Sequence, residues 1–147
     1  MHEPGAPEKS RVILERFLEE IAVTYQGDRN HFIVGGFSQG GAMTYSLLLT
    51  VPETLSGALI MSGRTIAEME PKIAPTEQFH DIPVLVTHGT RDNVLPIDHG
   101  HQIRTLLTKL PIVLTYKEFK MAHEINEESL NLITQWLTHQ LDDLQLS

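Results

Sequence analysis

No cysteine occurs among the 147 residues, which removes disulfides, thiolate metal sites and a cysteine nucleophile from consideration. Aromatic residues are sparse at 6%, and positive charge is short, with 11 Lys and Arg against 19 Asp and Glu for a formal charge of -8. A phosphate backbone would meet a surface mostly of its own sign, so nucleic acid is not an expected partner. No apolar run reaches membrane-spanning length, and the opening MHEPGAPEKS lacks the basic-then-apolar order of a secretory leader. A soluble, cytoplasmic protein is the expectation. No GK[ST] triplet is present, the glycines at 35, 36, 40 and 41 have the wrong spacing for a dinucleotide fingerprint, and no HExxH pair gathers the histidines. No metal or other cofactor is therefore expected.

What is present is an ordinary globular composition, 41% apolar and 20% charged, long enough for one domain over residues 1–147. Residues 1–8 read as a flexible tail. Ile13, Leu14, Phe17, Leu18 and Ile21 fall three and four apart and predict a helix from Arg11 to about Tyr25, ended by turn chemistry at Gly27, Asp28 and Asn30. Four apolar runs read as strands: HFIVG at 31–35, GALIM at 57–61, PVLVTH at 83–88 and PIVLTYKEF at 111–119, the last more polar and nearer an edge. Helical spacing follows Ser38, recurs through Ile103, Leu106, Leu107 and Leu110, and returns from Leu130 to Leu144 behind Asn126 as N-cap. A short helix near Ile66–Met69 is expected before a loop. Apolar strands alternating with helices predict an α/β protein, a parallel sheet covered on both faces.

Three strand ends carry chemistry. Gly36-Phe37-Ser38-Gln39-Gly40 matches G-x-S-x-G, directly after a strand and before a helix. A serine hydroxyl needs exposure and an adjacent base to attack; Gly36 and Gly40 permit the sharp turn that lifts it above the sheet, and the N–H of Gln39 is the candidate oxyanion donor. The plainer reading makes Ser38 an N-cap in a glycine-rich connection. Asp92 follows the third strand, where it is either the carboxylate that orients an imidazole or merely a turn residue. His123 follows the fourth strand; His88 is its rival as base but precedes Asp92, against the nucleophile–acid–base order, and is read as shaping a loop. Met61, Met69 and Leu95 are candidates for an acyl pocket, set against the commoner fate of Met and Leu as core.

The segments VGGFSQGGAM, LSGALIMSG, PVLVTHGTRDNVLP and MAHEINEESLNLITQWL, over roughly residues 9 to 138, resemble the carboxylesterase/phospholipase family of α/β-hydrolases, which includes the acyl-protein thioesterases. The resemblance implies an α/β-hydrolase-like sheet with Ser38, Asp92 and His123 as nucleophile, acid and base. It also implies hydrolysis of short- to medium-chain carboxylic esters or thioesters, with a small-molecule ester as substrate. Ala122 stands where the family commonly has glycine before the catalytic histidine. The family also has several strands before the nucleophile strand, one of them followed by the loop with the second oxyanion donor. The chain therefore reads as a hydrolase lacking its N-terminal third, with about four strands retained. In that reading strand 31–35 is an exposed edge, which predicts a homo-oligomer paired across it. A catalytically weak remnant, serving as a binding or oligomerising module, is the alternative function.

Overall fold

The computed structural model describes residues 22–25 and 32–146. The tail at 1–8, the predicted helix over 11–21 and the turn at 27–30 lie outside the described residues. Short apolar runs become one five-stranded sheet in chain order: β1 (Ala22–Tyr25), β2 (Phe32–Phe37), β3 (Gly57–Met61), β4 (Ile82–Gly89) and β5 (Ile112–Phe119). β2 to β5 run parallel, with Val34 beside Ala58, Leu59 beside Leu85, and Leu85 beside Thr115. Parallel neighbours need crossovers. These are α1 (Gln39–Thr50), the 3-10 turns Ala67–Lys72 and Thr76–Gln78, and α2 (Asp98–Leu107); α3 (Glu127–Leu146) follows β5.

Burial explains the strand sequences. All five residues of β3 are buried, as befits a central strand covered on both faces. β5 instead alternates half-buried and exposed residues until Phe119, the pattern of a strand at the border of the sheet. On one face Val34, Ala58, Ile60, Val84 and Val86 pack with Tyr45, Leu48 and Leu49 of α1 and with Ile103 and Leu107 of α2. On the other, Phe37, Leu59, Met61 and Leu85 meet Ile125 and Ile133, the latter from α3. Each such aliphatic side chain contributes about 1.5–3 kcal/mol by leaving water, so the sheet is clamped from both sides and its carboxyl ends are held at fixed spacing. α3 starts where the sequence placed it, because the Asn126 side chain accepts the Ser129 N–H at 2.8 Å.

Two expectations need correction at the start of the chain. Residues 22–25 are a strand, where the spacing of Ile13 to Ile21 had extended a helix. AVTY carries two β-branched residues and an aromatic, which suit a strand, and β1 runs antiparallel to β2 with Ala22 beside Gly35 and Tyr25 beside Phe32. The second correction follows from the first. The edge of strand 31–35 is occupied by β1, so β2 is an interior strand and the pairing of a second copy across that edge has no free backbone to use. The region near Ile66–Met69 is helical in a tighter form, a 3-10 segment with Pro71 inside it. Among the described residues no helix is long and apolar enough to cross a membrane.

Candidate active site

The chain leaves β2 at Phe37 and enters α1 through Ser38, whose backbone sits at φ 60° and ψ -115°. That conformation costs a residue with a side chain on the order of 1–3 kcal/mol. It is held in place by the Ser38 N–H donating to the Met61 carbonyl of β3 at 2.9 Å and by the Ala42 N–H donating to the Ser38 carbonyl at 3.0 Å. A Cβ on Gly36 would stand 2.3 Å from both the carbonyl carbon and oxygen of Gly40. Strand and helix therefore pass too closely at the two motif glycines for a side chain on Gly36. The Ser38 hydroxyl makes no cap bond to α1, against the N-cap reading. It lies 2.9 Å from His123 Nε2.

Asp92 follows β4 and is 6% exposed. Its two carboxylate oxygens have separate duties. Oδ1 accepts the N–H groups of Val94 at 2.9 Å and Leu95 at 2.8 Å; Oδ2 accepts from His123 Nδ1 at 2.7 Å. The turn reading and the imidazole-orienting geometry thus coexist on one side chain. Burial pushes the Asp92 carboxyl upward, but the hydrogen bonds from His123, Leu95 and Val94 outweigh it and hold the group below the usual carboxylate range. An ionised carboxylate is thereby kept against the imidazole.

His123 sits on the loop between β5 and α3, with Phe37 packed beside it at 4.8 Å between ring centroids. With Nδ1–H facing Asp92, Nε2 presents its lone pair to Ser38. The loop is stitched to the end of β4: Thr90 N–H donates to the Phe119 carbonyl at 2.8 Å and Arg91 N–H to the Met121 carbonyl at 3.0 Å. Gly89 makes this approach possible, since a Cβ there would stand 2.3 Å from the Met121 oxygen and 2.5 Å from that of Ala122. Neither Gly89 nor Phe37 was picked out from the sequence. The available signal for Gly89 was a glycine directly after an apolar strand.

Gln39 is the exposed first residue of α1, and its N–H belongs to the turn whose donors have no partner within the helix. The three pocket candidates separate. Met61 is 1% exposed and packs in the core on the α3 side. Met69 packs, half-buried, against the core of the opposite face. Leu95 stays at the rim, half-buried beside Asp92. His88 is fully buried, with Nε2 2.6 Å from the Leu95 carbonyl and 3.6 Å from Asp92 Oδ2.

Residues 11–141 match the phospholipase/carboxylesterase family profile. An acyl-protein thioesterase 1 of Gibberella zeae is 33% identical over 74% of this chain and 48% of its own length. A probable inactive carboxylesterase of Oryza sativa is 29% identical over 71% of this chain and 43% of its own. The crystal structure of Zea mays acyl-protein thioesterase 2 superposes with a TM-score of 0.67, at 21% identity, over 91% of this chain and 64% of that one. The chain spans about half the length of the curated relatives it matches. With four parallel strands, flanking helices and a profile match over most of its length, the chain belongs to the phospholipase/carboxylesterase family of α/β-hydrolases.

Proposed function

We propose that this protein is a serine hydrolase that cleaves short- to medium-chain carboxylic esters or thioesters through an acyl-enzyme. One observation carries the reading: a continuous hydrogen-bonded line from Ser38 Oγ to His123 Nε2 at 2.9 Å and from His123 Nδ1 to Asp92 Oδ2 at 2.7 Å. Ser38 Oγ attacks the acyl carbon as His123 Nε2 takes its proton, and the imidazolium so formed is stabilised by Asp92. The tetrahedral oxyanion meets the N–H of Gln39 at the positive end of α1. Collapse expels the alcohol or thiol, which takes the proton from His123, and leaves the acyl group on Ser38. Water, deprotonated by His123, then releases the acid and restores the serine. Leu95 is the proposed acyl contact among the three apolar candidates, because it remains at the rim.

The second reading is a weakly active or inactive module that binds ligand through the same cleft. It is favoured by the assignment of one oxyanion donor, the Gln39 N–H, among the described residues, since loss of one such donor costs about 3 kcal/mol of transition-state stabilisation. The probable inactive relative in rice makes it concrete. A fluorophosphonate probe separates the two. Covalent labelling at Ser38, lost in Ser38→Ala, together with Ser38-dependent hydrolysis of a nitrophenyl butyrate, supports the enzyme. An unlabelled wild-type protein, or a Ser38→Ala variant with undiminished turnover, refutes it.

A further inference from the structure

His88 is a buried titratable side chain that the proposed cycle leaves unused. It is the penultimate residue of β4, on the face covered by α2, where a Cβ on Gly100 would stand 3.1 Å from its Cβ and 3.2 Å from its Cγ. The ring is therefore pressed between the sheet and the first turn of α2, with no exposure to solvent. Its Nε2 lies 2.6 Å from the Leu95 carbonyl. A carbonyl only accepts, so Nε2 carries the proton. Its Nδ1, the acceptor atom of a neutral ring, is buried without a hydrogen-bond partner among the described residues. Burial pushes the His88 pKa below its ordinary value, only partly opposed by the Leu95 carbonyl and by Asp92. His99 and His123 act on it in the same direction as burial.

The Leu95 peptide unites these contacts. Its N–H donates to Asp92 Oδ1 at 2.8 Å and its carbonyl accepts from His88. His88 Nε2 also lies 3.6 Å from Asp92 Oδ2, the oxygen that meets His123 at 2.7 Å. The loop from Asp92 to Leu95 is thus pinned at both ends, by the carboxylate itself and by an imidazole anchored in the sheet. Without the second pin, the Leu95 peptide is free to tilt, and with it the shorter of the two N–H contacts that set the rotation of the Asp92 carboxylate.

We propose that His88 is a positioning residue: as the neutral, Nε2-protonated imidazole it locks the Leu95 peptide, and thereby aims Asp92 Oδ2 at His123. This rests on the serine-hydrolase reading for its kinetic consequence, while the aim of the carboxylate is measurable without turnover. The neutral state matters because a charged His88 would be a second cation competing with His123 for the same carboxylate.

The experiment uses three variants at His88 and two readouts. His88→Gln places an amide N–H near the position of Nε2, whereas His88→Leu fills the volume with no donor; His88→Asn replaces Leu if circular dichroism shows that leucine prevents folding, because its shorter amide falls short of the Leu95 carbonyl. With nitrophenyl butyrate as substrate, His88→Leu is expected to lose on the order of 100-fold in kcat with KM within about twofold, the signature of a misaimed catalytic group. His88→Gln recovers most of the loss. The second readout is the low-field proton resonance of the His123 Nδ1–H bonded to Asp92, assigned by its loss in Asp92→Asn. It is expected in wild type and His88→Gln, and shifted upfield or broadened in the donorless variant. An unchanged kcat or an unchanged resonance in the folded donorless variant overturns the proposal, as does the lack of that resonance in wild type. Turnover that survives Ser38→Ala overturns the hydrolase reading instead and leaves the resonance to decide the role of His88.

Discussion

Gly89 ends β4 so close to the loop that carries His123 that a Cβ on it would stand 2.3 Å from the carbonyl oxygen of Met121. Real side chains do not approach a backbone oxygen so nearly, and here both partners are backbone. The loop must move if Gly89 gains a methyl group. Gly89→Ala is therefore expected to keep the fold but displace His123 from Ser38 and Asp92. Displacements near 1 Å cost on the order of 100-fold in rate. Steady-state hydrolysis with the melting temperature measured alongside is the check; wild-type kcat in Gly89→Ala contradicts the steric account.

Ser38 combines a strained backbone with the proposed reaction. At φ 60° glycine is comfortable and serine is not. Ser38→Gly is expected to be inactive and more stable by about 1 kcal/mol, the relief of strain less the larger chain entropy of glycine. Urea unfolding of the two proteins measures it. A less stable Ser38→Gly variant would show that the turn stores no strain.

Tyr45 is fully buried in α1, and its hydroxyl has no hydrogen-bond partner among the described residues. Burial first, and the charge of Glu70 second, push its pKa up to about 12. A buried hydroxyl that bonds to nothing loses its water for no return. Tyr45→Phe is accordingly expected to raise stability by about 1 kcal/mol with hydrolysis unaffected, read from urea midpoints and initial rates. A loss of that size in Tyr45→Phe would reveal a bond to the hydroxyl.

Two groups of the site, His88 and Asp92, contribute to the pH dependence of stability with the same sign. His88 takes up a proton below about 6.5 when unfolded but only at lower pH when folded, because burial lowers its pKa. Over that interval the unfolded state binds more protons, so stability falls as the pH falls. Asp92 acts lower down. Its folded carboxyl is held below its ordinary value, so its contribution is complete above about 3.9 and is lost as the pH drops through the folded value. Urea titrations from pH 7.5 to 3.5 should show a decline beginning near 6.5, and His88→Gln should flatten that upper part while leaving the lower. An equally steep upper decline in His88→Gln would mean that another group carries it.

Local chemistry made much of this protein legible from its residues. GALIM at 57–61 is β3 residue for residue, because an unbroken apolar run between turn residues has few uses other than a central strand. The Gly36 to Gly40 turn, Asn126 as cap and β5 as the sheet border were likewise readable, each from a short-range pattern: motif glycines, a side chain bonding its own helix, and apolar alternation. Ser38, Asp92 and His123 were placed at the ends of three parallel strands, and strands of one parallel sheet bring such ends to one rim. Other features depended on contacts that no local pattern announces. The periodicity of the preceding residues extends a helix through Tyr25, whereas residues 22–25 form β1 by pairing with β2. Gly89 owes its importance to Met121, and His88 to Leu95 and Asp92, through distances of 2.3, 2.6 and 3.6 Å that no spacing in the chain encodes. Composition and motif determined which groups the protein holds and at which strand ends. The tertiary structure alone decided which edge is covered and how the Asp92 carboxylate is aimed, because strand pairing and buried hydrogen bonds are settled by three-dimensional packing that no local pattern of residue types announces.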